Sequence, residues 1–171
     1  IEHLSIPPKL RELRDSWCFQ TPHLKIIDVS PSNPNFILKD NKLLLGKSDP
    51  KSDNFDVILF GNRDIEQVQI PSNIKIISQF AFESCEQLTR VSLTEDSELQ
   101  LIDNHAFHNS HLREILIPPH VSKIGVGAFN SCKHLQTVEI PESSELRFIE
   151  ECAFYDAGIK QISIPLHVSK I

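Results

Sequence analysis

The amino-acid sequence predicts an α/β-type repeat solenoid, a right-handed superhelix rich in β-structure. A parallel sheet is expected on one face, with short helical or 3-10 turns and loops on the other. Three observations predict it. An apolar-x-x-apolar-x-apolar motif occurs seven times in 171 residues. An Ala-Phe pair recurs at a matching place between copies, and five residues are repeated verbatim 47 positions apart. Self-similarity at a fixed period is the mark of stacked supersecondary units.

The seven strand motifs are Ile1/Leu4/Ile6, Leu24/Ile27/Val29, Ile65/Val68/Ile70, Leu88/Val91/Leu93, Leu112/Ile115/Ile117, Leu135/Val138/Ile140 and Ile159/Ile162/Ile164. The last four residues of each alternate outward and inward, the period-2 pattern of a strand with one buried face. From Ile70 onward the last member recurs at steps of 23, 24, 23 and 24 residues. The alternation defines two subtypes, one with Pro after the strand and Ser-Cys after the Phe, the other opening on Ser-x-Glu-Leu or Ser-Glu-Leu. The unit is therefore a 47-residue pair, and His120-Val121-Ser122-Lys123-Ile124 returns as His167-Val168-Ser169-Lys170-Ile171. Pro71, Pro118, Pro141 and Pro165 follow strands directly, where a residue without an N–H suits the end of a ladder.

Between strands lie Ala81-Phe82, Ala106-Phe107, Ala128-Phe129 and Ala153-Phe154, with Cys18-Phe19 as a degenerate first copy. Apolar residues stand five and eight places before each of the four Phe: Ile77/Ile74, Ile102/Leu99, Ile124/Val121 and Ile149/Leu146. These stretches are too short for a full helix, so a helical turn or 3-10 piece is expected. Small Ala lets neighbouring coils approach while Phe fills the interior, which predicts a ladder of Phe82, Phe107, Phe129 and Phe154 up the core.

Residues 30–64 break the period. Short β-prone runs, Phe36 to Lys39, Leu43 to Leu45 and Phe55 to Phe60, are separated by Asp40-Asn41, Gly46, Asp49-Pro50 and Gly61-Asn62. We read a small hairpin or meander inserted between strands two and three, because some 35 residues bury too little surface to stand alone. The domain expectation is thus one solenoid over 1–171, truncated at both ends. The chain starts at Ile1 and has no Met, as a piece of a longer precursor would. It also stops within a coil, and an open end of this kind is expected to self-associate.

The segment Ile117 to Ile140 reads Ile-Pro-x-x-Val-x-x-Ile-x-x-x-Ala-Phe-x-x-Cys-x-x-Leu-x-x-Val-x-Ile. This pattern resembles the leucine-rich repeats of BspA-like proteins, and the resemblance covers essentially the whole chain. Asn33-Pro34-Asn35-Phe36 and Asp40-Asn41-x-Leu43-Leu44 resemble the hairpin such proteins carry, usually with Asp-Gly at the turn. The slot that holds Asn or Cys after the strand in the common leucine-rich repeat is filled otherwise here. The resemblance implies a non-enzymatic surface-exposed or secreted protein of the adhesin or surface-antigen type. An intracellular scaffold of the same repeats is the alternative, favoured by four unpaired Cys and by the absence of any Asn-x-Ser/Thr acceptor.

The residues themselves point away from catalysis. Formal charge is −6, and no run of Lys or Arg forms a stripe able to neutralise successive phosphates, so nucleic acid is not an expected partner. No apolar stretch approaches the ~20 residues needed to cross a bilayer, so membrane insertion of this segment is not expected. Cys85 and Cys132 sit two coils apart, about 10 Å at the strand spacing, beyond disulfide reach. They read as small buried apolar residues, as do Cys18 and Cys152. His105, His108 and His111 lack the Cys or carboxylate that would complete a zinc spacing, and read as exposed histidines on the convex side. Gly125-Val126-Gly127 lacks the third Gly of a dinucleotide site and reads as a turn. Glu95, Asp96, Glu98, Glu142 and Glu145 read as a solvated edge. No catalytic residue, cofactor or metal site is expected.

Function is expected on the outward side of the stacked strands. The phase names Ile26, Asp28, Gln67, Gln69, Arg90, Ser92, Glu114, Leu116, Thr137, Glu139, Gln161 and Ser163, a polar face of mixed charge for a protein or glycan partner or other cell-surface ligand. His3 and Ser5 begin the same column. Ile26 and Leu116 are its apolar exceptions.

Overall fold

The computed structural model describes all of residues 1–171. Each strand motif buries alternate side chains, as the apolar spacing requires. The strands in chain order are β1 (His3–Ile6), β2 (Ile26–Val29), β3 (Ile37–Lys39), β4 (Leu43–Gly46), β5 (Val57–Gly61), β6 (Gln67–Gln69), β7 (Ile76–Ile77), β8 (Arg90–Ser92), β9 (Leu101–Ile102), β10 (Glu114–Leu116), β11 (Lys123–Ile124), β12 (Thr137–Glu139), β13 (Phe148–Ile149) and β14 (Gln161–Ile162). Strands β6, β8, β10, β12 and β14 form one five-stranded parallel sheet. Val68, Val91, Ile115 and Val138 point inward from it and are buried.

The opposite side differs from the expectation of helical turns: the protein has no helix. It carries a second parallel ladder instead, of the two-residue strands β7, β9, β11 and β13. Ile77, Ile102, Ile124 and Ile149 face inward from this ladder and are buried. The Ala-Phe segments stay non-helical because only alternate amides bond within the turn. Ala81 and Glu83 donate to the carbonyls three residues back, at 3.1 Å each, whereas Phe80, Phe82 and Ser84 donate to Asn104, Ala106 and His108 of the next coil at 3.3, 2.7 and 2.8 Å. Two left-handed residues four apart bracket each turn, Phe80/Ser84, His105/Asn109, Gly127/Ser131 and Cys152/Asp156. Such φ values break a helix and turn the chain toward its neighbour.

This bracket corrects the first coil. Its left-handed pair is Ser16/Gln20, which puts Cys18, not Phe19, in the phenylalanine slot. Cys18 is fully buried and Phe19 is 46% exposed.

The phenyl rings stack face to face up the core. Phe82–Phe107, Phe107–Phe129 and Phe129–Phe154 have centroids 5.0, 5.2 and 5.3 Å apart and planes within 6° of parallel. The first three rings are fully buried. The column ends below Phe82 at Gly61, whose amide donates to the Ala81 carbonyl at 2.8 Å and so holds the place of a column residue. A Cβ there would stand 2.3 Å from the Phe82 ring, so only a glycine leaves room for it.

Strands β3, β4 and β5 form an antiparallel meander whose last strand joins β7 in parallel, making the second sheet seven-stranded. Asp40 and Asn41 both have φ of 52° at its tight turn, the conformation that Gly favours and Asn and Asp tolerate. The meander faces two ways: Leu43, Leu45 and Ile58 pack into the main core, Leu44 and Phe60 into a smaller one with Ile6, Cys18, Leu24 and Ile27. Strands β1 and β2 pair only with each other.

Candidate binding face

In register across the five-stranded sheet, Gln67, Arg90, Glu114, Thr137 and Gln161 form one outward column. Gln69 aligns with Ser92, and Leu116 with Glu139, in a second. Ser163 lies just past β14 and is exposed. All ten side chains are solvated. Period-2 alternation produces this arrangement directly, since inward residues are fixed by the core and outward ones are left free to vary.

Arg90 Nη2 donates to Glu114 Oε1 at 2.9 Å across adjacent strands. Both side chains are more than half exposed, so the pair contributes little to stability and its charges remain available to a partner. Leu116 is 42% exposed beside this pair. Arg90, Ser92, Glu114, Leu116 and Glu139 border one shallow depression. Apolar surface rimmed by polar groups of both signs is the composition of a protein-contact patch.

Ile26 and Asp28 do not belong to this surface. They stand on the two-stranded β1–β2 sheet, which the meander separates from β6. There Asp28 Oδ2 lies 2.7 Å from Nε2 of His3, and Ile26 is 54% exposed beside them. The outward residues therefore form two faces, not one.

Of the other sequence features, Cys85 and Cys132 are buried and unpaired, as is Cys18. Burial pushes the Cys18 thiol up to about 11 against the opposing pull of the Arg63 guanidinium, and raises Cys85 and Cys132 in the same direction. Cys152 departs from the reading of a buried residue: it is exposed, at φ 56° in a turn. The three histidines are half-buried, not exposed. His105 stacks on Phe80 with centroids 5.2 Å apart, and His111 packs edge-on against His134. Burial, and then the neighbouring His108, hold His105 below the usual histidine range. No three metal-ligating side chains converge. Gly127 has φ of +59°, and a Cβ on Gly125 would stand 2.6 Å from the Asn104 amide nitrogen, so both glycines serve a turn.

Two buried charged residues had no signal in the sequence. Arg63 and Glu83 are 4% and 3% exposed. Their partners lie 17 to 63 positions away, so no local pattern announces them. No helix is long and apolar enough to cross a membrane.

Stacked coils joined by parallel ladders and a solvated strand face define a leucine-rich-repeat β-solenoid, a fold of protein interaction. The chain belongs to the BspA type leucine-rich repeat region, which matches residues 55–171 in six copies. No curated protein matches. Among solved structures, a leucine-rich repeat protein from Eubacterium ventriosum superposes with a TM-score of 0.72 at 18% identity, over 98% of this chain and 56% of that one. The pneumococcal vaccine antigen PcpA gives 0.61 at 17% identity, over 98% and 50%. A leucine rich cell surface protein from Faecalibacterium prausnitzii gives 0.56 at 21% identity, over 88% and 48%. The chain thus spans about half the length of these structures. Leucine-rich repeat proteins are in general binding modules, and none of these relatives is named for a catalytic activity.

Proposed function

We propose that this chain is a non-enzymatic recognition module of a surface-exposed or secreted protein, adhesive in role, and that it engages a protein partner through the outward face of the five-stranded sheet. One observation carries the reading. Nine outward side chains on consecutive coils are held in register by a parallel ladder, with Ser163 just beyond it, while nothing in the chain covers them. A partner can therefore be contacted by many coils at once without ordering cost, which is how solenoids build extended binding surfaces. Support for surface exposure comes from two fold relatives, a leucine rich cell surface protein and a pneumococcal vaccine antigen.

Arg90 and Glu114 sit at the centre of the face. Exchanging them as Arg90→Glu with Glu114→Arg keeps opposite charges on the two strands while inverting the charge pattern a partner meets. Purified chain is to be screened by surface plasmon resonance against a panel of extracellular-matrix and cell-surface proteins, with a glycan array beside it. The double variant should lose at least about tenfold in affinity for the protein captured, equivalent to roughly 1.4 kcal/mol. Undiminished binding to that protein would move the site off this sheet, and capture of glycans alone would replace the partner class.

A further inference from the structure

We propose that the seam between the first two coils and the repeat array is a built-in opening joint: residues 1–35 form a cooperative unit of their own, clasped to the rest by a side-chain latch centred on Arg63. The backbone ladders break at this seam. Strands β1 and β2 pair only with each other, and β6 is the terminal strand of its sheet. The main core does not extend across it: Ile6, Cys18, Leu24 and Ile27 meet the rest of the chain only in a small cluster with Phe36, Leu44, Phe60 and Phe80.

The turn side shows what replaces the ladder. Between array coils, backbone amides bond directly to the next turn: Phe80, Phe82 and Ser84 each reach the following coil. No backbone–backbone bond joins the first turn, residues 16–20, to the turn of residues 80–84. Side chains bridge the gap instead. The Arg63 guanidinium donates to the carbonyls of Thr21 and Cys18 at 3.4 and 3.5 Å on one side, and of Ala81 and Phe80 at 3.0 and 3.2 Å on the other. It lies 4.2 Å above the Phe60 ring. The Glu83 carboxylate accepts the Gln20 amide at 2.8 Å, and the Cys18 thiol points to the Phe80 carbonyl at 3.7 Å.

A planar cation with five donors in fixed directions is suited to collecting carbonyls from two segments that do not share a ladder. It also concentrates the junction in one residue. Elsewhere coil-to-coil cohesion is spread over several backbone amides in each turn; here the polar part of it rests chiefly on Arg63 and Glu83, so the seam is where the molecule separates first. Opening there would uncover Leu44 and Phe60, the apolar side of the meander that the first two coils now cover.

The single tryptophan makes the joint observable. Trp17 lies in the first turn, with its ring 5.6 Å from that of Phe60 across the seam. Urea unfolding of the full chain and of Arg63→Met is to be followed by Trp17 fluorescence and by far-ultraviolet circular dichroism. In the variant the fluorescence midpoint should fall below the dichroism midpoint, splitting the transition in two. Coincident midpoints in the folded variant would overturn the proposal. Should Arg63→Met fail to fold, native-state hydrogen exchange on the unaltered chain decides. The Gln20 amide, bonded to the Glu83 carboxylate across the seam, and the Ser84 amide, bonded to the His108 carbonyl between array coils, have equal bond lengths of 2.8 Å. Opening at the seam requires the Gln20 amide to be protected at least about tenfold less than that of Ser84; equal protection would overturn it.

Discussion

Gly61→Ala is a substitution whose sign can be worked out from the structure. Gly61 has no left-handed φ to lose, and replacing a glycine by alanine stabilises by ~0.4–1 kcal/mol through the unfolded chain when the site is free. The site is not free. The new Cβ would meet two Phe82 ring atoms at 2.3 and 2.5 Å. That ring cannot yield, because Phe107 lies parallel to it at a centroid distance of 5.0 Å. Overpacking of this kind costs ~1–3 kcal/mol, so the clash outweighs the entropic gain and the net loss is about 1–2 kcal/mol. Urea titrations of Gly61→Ala, Phe82→Leu and the double variant give the coupling. The alanine should cost at least about 1 kcal/mol less in the Phe82→Leu background, where the ring is gone. A Gly61→Ala variant as stable as the parent, or strictly additive with Phe82→Leu, would refute the placement of Gly61 at the foot of the column.

Two further outcomes follow from burial. Among the four thiols only Cys152 should react with Ellman's reagent in the folded protein, with Cys18, Cys85 and Cys132 released on unfolding; prompt reaction of all four would contradict the turn alignment. Asp56 is buried, which by itself raises its pKa, but Ser48 donates to it through both hydroxyl and amide at 2.7 and 2.8 Å and Lys75 stands 3.4 Å away, so the carboxyl is held below its usual value of 3.8. A depressed carboxylate stabilises fully above its unfolded pKa, and that contribution is lost as pH falls through the folded one. The stability difference between the parent and Asp56→Asn should therefore be greatest above about pH 4 and shrink below it. An equal difference at neutral and strongly acid pH would disprove the assignment.

Much of the array was legible because its residues report on a single buried face. Val68, Val91, Ile115 and Val138 alternate with polar neighbours, and the recurrence of Phe82, Phe107, Phe129 and Phe154 fixes the coil phase. The second ladder was not legible. Its strands are two residues long, and three of their four outward members, Ile76, Leu101 and Phe148, are apolar like the inward isoleucines, so only Lys123 shows the alternation that marks a surface. The Ala-Phe turns read as helical because local spacing cannot show that every second amide bonds to another coil. Cys18-Phe19 misled because an aromatic stood one place from the slot that the left-handed pair defines.

The division of the outward face had a related cause. Leu43, Leu44 and Leu45 are all apolar since both sides of β4 are covered, and an unbroken apolar run conceals which core each side chain serves. The meander thus looked like an insertion beside one continuous sheet, whereas it forms the wall that removes Ile26 and Asp28 from the array. Arg63 and Glu83 lay beyond any local reading because their partners are distant in sequence.

The stacked phenyl column is the physical core of this account, and Phe107 is its centre, fully buried with a parallel ring on each side at 5.0 and 5.2 Å. The most direct measurement is the urea midpoint of Phe107→Ala against the parent chain. A loss of about 3–5 kcal/mol is predicted from the deleted ring and the cavity it leaves. A midpoint unchanged within error would contradict the column and the coil stacking built upon it.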